Sequence, residues 1–469
     1  MTEARLLALA LCALLALSGA AAASPAAAST LTLAEALDRA VYHSDYQAWQ
    51  ANFASTADAV QSILDKHSLG LDLSGTLLSY TYDLDSATAR ISSGAGLSLS
   101  KSNLWGTTLQ GRITPTWNIS NRSTNTSWSL ELTQTLWPSP KYGADQIALQ
   151  TVHSKQAALL KQEEYVLANA RMKIERLYRA AQIAEARAQL ALERLAAAQQ
   201  NLSVVEQKRA IGEASEVDLI SGELNVLRAE RDLETTQASA AAAKEDLLRA
   251  VELAGDYELV PLVLDDLPGD LPEINIDELL ANVHGHPLVL QYEVELTRAG
   301  RELEAGQAAG RAQASFRLAL EEKTPSGGQQ GGTTFLAAVT IGYPLLDRNQ
   351  RADTLASLAD SLENAEEAYE NAVENVVNLI LETEAEVKRL ERDKQIAWLS
   401  LRQAELEWEA ARLQHGAGII DDSALHSAEL RLRQAQLDHY ESAYNCAWAK
   451  LRLSLGLVGD LSGTGGPGR

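Results

Sequence analysis

The residues of this 469-residue chain best placed to do chemistry are carboxylates set beside glycines. Glu213, Glu216 and Asp218 follow Gly212, and Asp421 and Asp422 follow Gly416 and Gly418. Acids grouped in this way can share a proton, attract a cation, or sit in the first turn of a helix, where they offset the positive end of its dipole. No nucleophile-and-base pair and no glycine-rich phosphate loop accompanies them. His284-Gly285-His286-Pro287 offers two imidazoles, but no carboxylate or cysteine stands beside it at ligand spacing, so it reads as a turn ahead of a helix. Cys446 lies inside a long helical pattern and reads as a buried, inert thiol. The chain is therefore expected not to be an enzyme and to hold neither cofactor nor metal.

Charge narrows the field further. The formal net charge is −23, the wrong sign for neutralising phosphates, so nucleic acid is not an expected partner. At the N-terminus, Arg5 precedes the apolar run Leu6 to Leu17 and a small-residue stretch with Ala21 and Ala23 before Ser24. That pattern fits an exported chain with a signal peptide at 1–23, because twelve apolar residues are too few to cross ~30 Å of hydrocarbon.

The elements that carry the carboxylates are long helices. No proline occurs between Pro140 and Pro261 or between Pro344 and Pro467, and no glycine between Gly143 and Gly212 or between Gly342 and Gly416. Uninterrupted helix formers over such spans predict helices of roughly 100 Å at 1.5 Å per residue. Each then breaks at a glycine tip and returns as a shorter helix with mixed three- and four-residue apolar spacing, as in a coiled coil. Setting Gly212 on Gly418 places Leu219 on Leu425, Ser221 on Ser427, Glu223-Leu224 on Glu429-Leu430 and Asp232 on Asp438 without a gap, so the chain is read as an internal duplication. The first repeat, 31–255, is expected to run helix 33–67, strands 69–137, long helix 145–210, tip 211–216 and helix 213–255. The second, 276–458, repeats this as helix 276–310, strands 311–345, long helix 349–414, tip 415–422 and helix 419–458. A linker, 256–275, joins them, and 459–469 is a tail.

Residues 69–137 are rich in Ser, Thr and Gly and alternate with a period of two, with Trp105, Trp117, Trp128 and Trp137 near strand ends. Strands of about ten residues with one apolar face and terminal aromatics suit a transmembrane β-barrel, where such rings sit at the membrane interface; a soluble hairpin layer is the alternative. Residues 69–137 are long enough for four strands, although two long, interrupted ones there, matching two in the second repeat, would preserve the repeat; four or six strands are in either case too few for one chain to close a barrel.

Export, duplication, two strand regions and two long hairpins together resemble the TolC family of outer-membrane efflux and secretion channels. The likeness covers 31–458, and its marks are Leu31-Thr32-Leu33-Ala34-Glu35-Ala36-Leu37, the strand-to-helix corners at Pro138 and Pro344, and the two tips. The resemblance implies a mainly α fold with a membrane β-barrel portion. In it, a homotrimer forms an α-helical tunnel of coiled-coil hairpins, topped by a barrel shared among the chains. It implies four strands per chain and an equatorial belt at 256–275. It also implies an exit duct in the outer membrane, with helices in the periplasm, that passively conducts exported substrates and meets a periplasmic adaptor (membrane-fusion) protein and an inner-membrane transporter. The family's tunnels narrow at the tips behind rings of carboxylates. This assigns Asp421, Asp422, Asp218, Glu213 and Glu216 to a pore entrance, Asp218 at the position of the family's aspartate. The family's tyrosine and arginine lock falls on His415 and Ile420 and is not carried over. The competing reading is a soluble periplasmic coiled-coil scaffold or adaptor.

Overall fold

A computed structural model describes residues 29–83, 88–119, 122–255, 257–264, 267, 269, 274–310, 312–323, 332–343 and 349–458. The expected signal peptide, the corner at Pro344 and part of the proline-bearing linker, with Pro268 and Pro272, fall outside these residues. The chain order is β1 (Ser29–Leu31), α1 (Leu33–Asp38), α2 (Ser44–Lys66), β2 (Gly70–Asp83), β3 (Thr88–Ser102), β4 (Thr107–Asn118), β5 (Ser123–Trp137), α3 (Ala144–Ala210) and α4 (Glu216–Ala250). It continues with β6 (Tyr257–Leu259), α5 (Ile276–Ala281), α6 (Pro287–Ala309), β7 (Gln313–Lys323), β8 (Gly332–Gly342), α7 (Gln350–Gly416) and α8 (Asp422–Ser454). The fold is mainly α with a β portion.

The helices of the two halves match one for one. α1 and α5 each have 6 residues, α2 and α6 each 23, and α3 and α7 each 67. Both 33–67 and 276–310 are expected as one helix, and both are broken. A short 3-10 turn, Arg39–Tyr42 or Val283–Gly285, is followed by an extended histidine, His43 or His286, before α2 or α6 begins. At Pro287 the reason is local, since the residue before proline is forced out of the helical region.

The contacts divide the chain into two bodies. The first takes the described residues up to His43, with Lys173–Leu267 and Ala397–Glu441. In it β1 pairs in parallel with β6, and Tyr178 donates its hydroxyl to the Leu31 carbonyl at 2.9 Å. Arg39 donates to the Val251 and Glu252 carbonyls at the end of α4, satisfying acceptors that a helix terminus leaves open. The helices follow one another laterally as α4, α3, α8, α7. A Cβ on Gly222 of α4 would come within 2.9 Å of Leu202 of α3. Arg433 of α8 forks onto Glu193 of α3 at 2.7 and 2.8 Å, and Arg431 of α8 lies 3.9 Å from Glu407 of α7.

The second body takes Ser44–Met172, the described part of Pro268–Ile396, and Ser442 onward. Its core joins Val289 of α6, Val376 and Ile380 of α7, and Leu453 of α8. A second cluster joins Tyr165 and Met172 of α3 to Leu457, with Trp49 and Trp448 packed against it. Both indoles place their N–H on α3, Trp49 on the Leu159 carbonyl at 3.0 Å and Trp448 on the Met172 carbonyl at 3.2 Å. Cys446 is buried, as its place in a helical pattern suggests.

This body also holds one antiparallel sheet of six strands in the order β2-β3-β4-β5-β7-β8. Residues 70–137 supply four of them, rather than the two long interrupted strands that would preserve the repeat. Alternation is hard to see in β2 because its register slips between Thr76 and Ser79, setting Leu77 and Leu78 side by side in the sequence.

Candidate functional site: a two-faced sheet and two hairpin tips

Cross-strand partners share a face, so the register sorts every strand residue. Along one row Leu73 pairs Leu97, Leu97 pairs Ile113 and Ile113 pairs Trp128. Along another Leu109 pairs Leu132, Leu132 pairs Leu318 and Leu318 pairs Ala337. This face carries Leu71, Leu99, Trp117, Leu130, Leu320, Phe316, Phe335, Val339 and Ile341 as well. It is exposed rather than packed, with Leu73 at 82%, Phe335 at 68% and Ile341 at 72% of full accessibility. Such a continuous apolar surface demands a partner or a lipid phase.

The other face is polar. Ser74, Ser92, Ser98, Thr114, Thr116, Ser127, Ser129 and Thr133 lie on it, and Arg317 bonds Glu131 across β7 and β5 at 2.7 Å. The Ser, Thr and Gly content that marks 69–137 is thus half of a two-sided design.

Three of the four tryptophans fall toward the two ends of this sheet, and Trp128 pairs with Ile113 midway along β4. Trp105 stands in the β3–β4 turn, where Asn103 Oδ1 accepts its N–H at 3.0 Å, and Trp137 closes β5. Trp117 lies near the opposite end of β4, and Trp128 donates its indole N–H to Glu322 at 2.6 Å. From Trp128 to Trp137 the strand runs about 30 Å at ~3.3 Å per residue. Tilted by about 40°, that spans roughly 23 Å, the height of the apolar band of a membrane barrel.

At the tips, Gly212 and Gly418 adopt φ of 81° and 72°. The same pair of hydrogen bonds closes both turns. Glu213 N–H reaches the Lys208 carbonyl and Gly212 N–H the Arg209 carbonyl, while Ile419 reaches Gln414 and Gly418 reaches His415, all at 2.8–3.0 Å. This is the Schellman arrangement, which needs a left-handed residue at those two places. Gly416, the third tip glycine, ends α7 and has no positive φ.

Four of the five acids are engaged with their own hairpin. Asp218 and Ser215 form a capping box at the start of α4, and those hydrogen bonds, from the Ser215 hydroxyl and then its N–H, hold the Asp218 carboxyl below its ordinary range. Glu216 stands 3.8 Å from Arg209, and Glu213 lies in the turn itself. Asp421 accepts the Ala424 N–H at 2.9 Å, capping α8, and Asp422 lies 2.6 Å from His415 Nε2. Ser215 is missing from the sequence reading, although Ser-x-x-Asp ahead of an apolar run is a capping signature. A cleft of about 500 Å³ opens beside the first tip, lined by Arg194 and Asn201 of α3, Asp218 and Asn225 of α4, and Ser427 and Arg431 of α8.

The two histidines of the sequence reading are engaged otherwise. His284 Nδ1 meets the Tyr369 hydroxyl at 2.9 Å, while His286 caps α6.

No family model matches this sequence, and no curated protein matches it. Solved structures match its fold along nearly the whole chain. The channel-forming protein CusC superposes with a TM-score of 0.65 at 16% identity over 94% of this chain and 95% of its own. The CmeC outer membrane channel of Campylobacter jejuni gives 0.65 at 13% identity over 90% and 85%. The outer membrane protein VceC of Vibrio cholerae gives 0.60 at 15% identity over 90% and 96%. The fold these outer-membrane channel proteins share with this chain is one of long helical hairpins and a strand region. The mainly α fold with a strand region that the TolC resemblance implies is the fold this chain has.

Proposed function

We propose that this chain is the outer-membrane exit duct of a tripartite efflux or type I secretion system, a passive conduit without catalytic activity. The observation that carries the proposal is the two-faced sheet: its exposed apolar side suits outer-membrane lipid and its Ser- and Thr-rich side a water-filled lumen. None of the described helices is long and apolar enough to cross a membrane.

Assembly follows from the helices. α4 turns Leu219, Val226 and Leu233 toward its neighbour, yet a second stripe, Val217, Ile220, Leu224 and Leu227, stays exposed, Val217 at 71%. α7 repeats this with Leu399, Leu406 and Leu413, the last at 72%. Seam spacing on the outer side of both flanking helices suits a ring in which α4 of one copy meets α7 of the next, and a homotrimer closes that ring. The tips, with their acids, would form the periplasmic entrance and meet the adaptor and the inner-membrane transporter.

Membrane fractionation tests the reading. Recovery of a detergent-extractable oligomer with the outer membrane is the expected result. A mature chain found in the soluble periplasm without detergent would instead support the scaffold alternative.

A further inference from the structure

We propose that β2–β3 is a hairpin inserted into the first repeat that widens the barrel. Each copy then contributes six strands, and β8 of one copy pairs with β2 of the next. This rests on the channel reading above.

The duplication identifies the insert. α1, α2, β4, β5 and α3 have counterparts in α5, α6, β7, β8 and α7, whereas β2 and β3 have none. In the second repeat the chain passes from α6, ending at Ala309, to β7 at Gln313 with only a short link. In the first, β2 and β3 intervene and return the chain to where they began. His67, after the end of α2, lies 2.8 Å through Nδ1 from the hydroxyl of Ser102, the last residue of β3. The hairpin is closed at its base, and β4 starts beside it.

Four observations place the insert within the barrel wall. The apolar face runs on through it without a step: Leu71, Leu73, Tyr80 and Tyr82 share the row of Leu97 and Ile113. Counting along β2 from either side of its bulge sets Leu77 and Leu78 on that face too. The inner face stays polar and small through Ser74, Ser92, Gly94, Gly96 and Ser98. Finally, β2 has 14 residues and β8 has 11, so each outer strand is long enough to span the hydrocarbon.

The same sheet has two open edges, β2 and β8. An open edge inside a membrane leaves its N–H and C=O groups without water or partner, so each must meet another strand. Six alternating strands make β2 and β8 antiparallel to one another, so copies can join edge to edge and keep the alternation. Three copies supply eighteen strands, the number at which known barrels hold an aqueous channel, and the bore admits bulkier solutes than a twelve-stranded one.

Disulfide trapping in outer membranes tests the pairing, in the full chain with Cys446→Ala. Ser74→Cys on β2 is combined in turn with Leu336→Cys, Ala338→Cys and Thr340→Cys on β8. A parallel set replaces Ser74→Cys by Thr114→Cys on β4. Oxidation with copper phenanthroline should convert monomer into dimer and trimer bands for at least one β2–β8 pair and for none of the β4–β8 pairs. Cross-linking from β4 with β2 silent would show that the hairpin lies outside the wall and would overturn the inference while leaving the channel intact. No cross-link in either set, for a chain recovered as an outer-membrane oligomer, also overturns it. A chain recovered in the soluble periplasm defeats the channel reading itself, and fractionation alone reports that.

Excision gives a second measure. Joining Leu69 to Asn103 removes β2 and β3, and the remaining four strands per copy should still reach the outer membrane as an oligomer. In that variant the β4–β8 cysteine pairs should become the ones that cross-link. Failure of every such pair while the oligomer persists counts against an excisable insert.

Discussion

Asp218 accepts hydrogen bonds from the Ser215 N–H at 2.8 Å and its hydroxyl at 2.7 Å, and returns one from its own N–H to Ser215 Oγ at 3.2 Å. A carboxylate expected at the pore entrance is therefore also part of a helix cap. Because these bonds favour the charged form, its folded pKa is lowered from 3.8, and the contribution is full above that value and fades as pH falls through the lower folded one. Ser215→Ala should speed amide exchange in the first turn of α4 at neutral pH. As pH falls below 3.8 and through the lower folded value, the native chain should lose the same protection. Unchanged exchange across residues 213–221 in the variant would remove the capping box as a stabilising element.

The tips offer a stereochemical test. A Cβ at Gly212 or Gly418 meets nothing within 4 Å, so the cost of adding one is conformational. Gly212→Ala and Gly418→Ala should each destabilise their hairpin by about 1 kcal/mol, the penalty of a left-handed L-residue. Gly416→Ala should be neutral or mildly stabilising, since that residue is helical. Conversely, Glu252 holds φ of 51° just past α4, with Leu253 N–H on the Leu248 carbonyl at 2.9 Å. Glu252→Gly should raise stability by up to about 1 kcal/mol. Thermal unfolding in detergent reads all four changes, and a stable Gly212→Ala would contradict the assignment of this turn.

What the sequence makes legible follows from how each feature is encoded. The 67-residue helices stand out because nothing in them competes with helix, and the tips because Gly212 and Gly418 are needed for their backbone. The aromatic ends of β4 and β5 show through Trp117 and Trp137. The strand number does not: β2 hides behind its bulge, and Gly94 and Gly96 blank the alternation of β3 where small residues face inward. The break before α2 is equally silent, since Ser44 has no proline to announce it while Pro287 does so for α6. The capping role of Asp218 is written in Ser-x-x-Asp, but a carboxylate beside a tip glycine draws attention first to its charge.

His286 links two ends of the second body. Its Nδ1 accepts the Leu288 N–H at 3.2 Å, so Nε2 carries the proton and donates to the Gly456 carbonyl at 2.9 Å. Burial holds the imidazole below its ordinary 6.5, against the opposing pull of that carbonyl. Protonation favours the unfolded chain, so the contribution is complete above about pH 6.5 and falls away toward the lower folded value. His286→Asn keeps a capping side chain. It should therefore retain most of the stability at pH 8 and lose part of the decline that sets in as pH falls below 6.5. An identical pH profile for variant and native chain would assign that decline to other groups.

The tip acids are the sharpest test of the conduit itself. Asp421 spends one oxygen on the Ala424 N–H and Asp422 one on His415, yet capping leaves the charge of Asp421 in place and a second oxygen of each free to face a solute. Around a narrow entrance, copies of the same carboxylate add their potentials, and low-dielectric walls focus the field on passing ions. Asp421→Asn with Asp422→Asn preserves the shape of the tip and removes the charge. In planar bilayers under a salt gradient, the native channel should show a cation-selective reversal potential, and the double variant one shifted toward zero. Asp218→Asn should act in the same direction. A reversal potential that none of these substitutions moves would confine all three aspartates to holding their helices, and the entrance would have to be sought away from the hairpin tips.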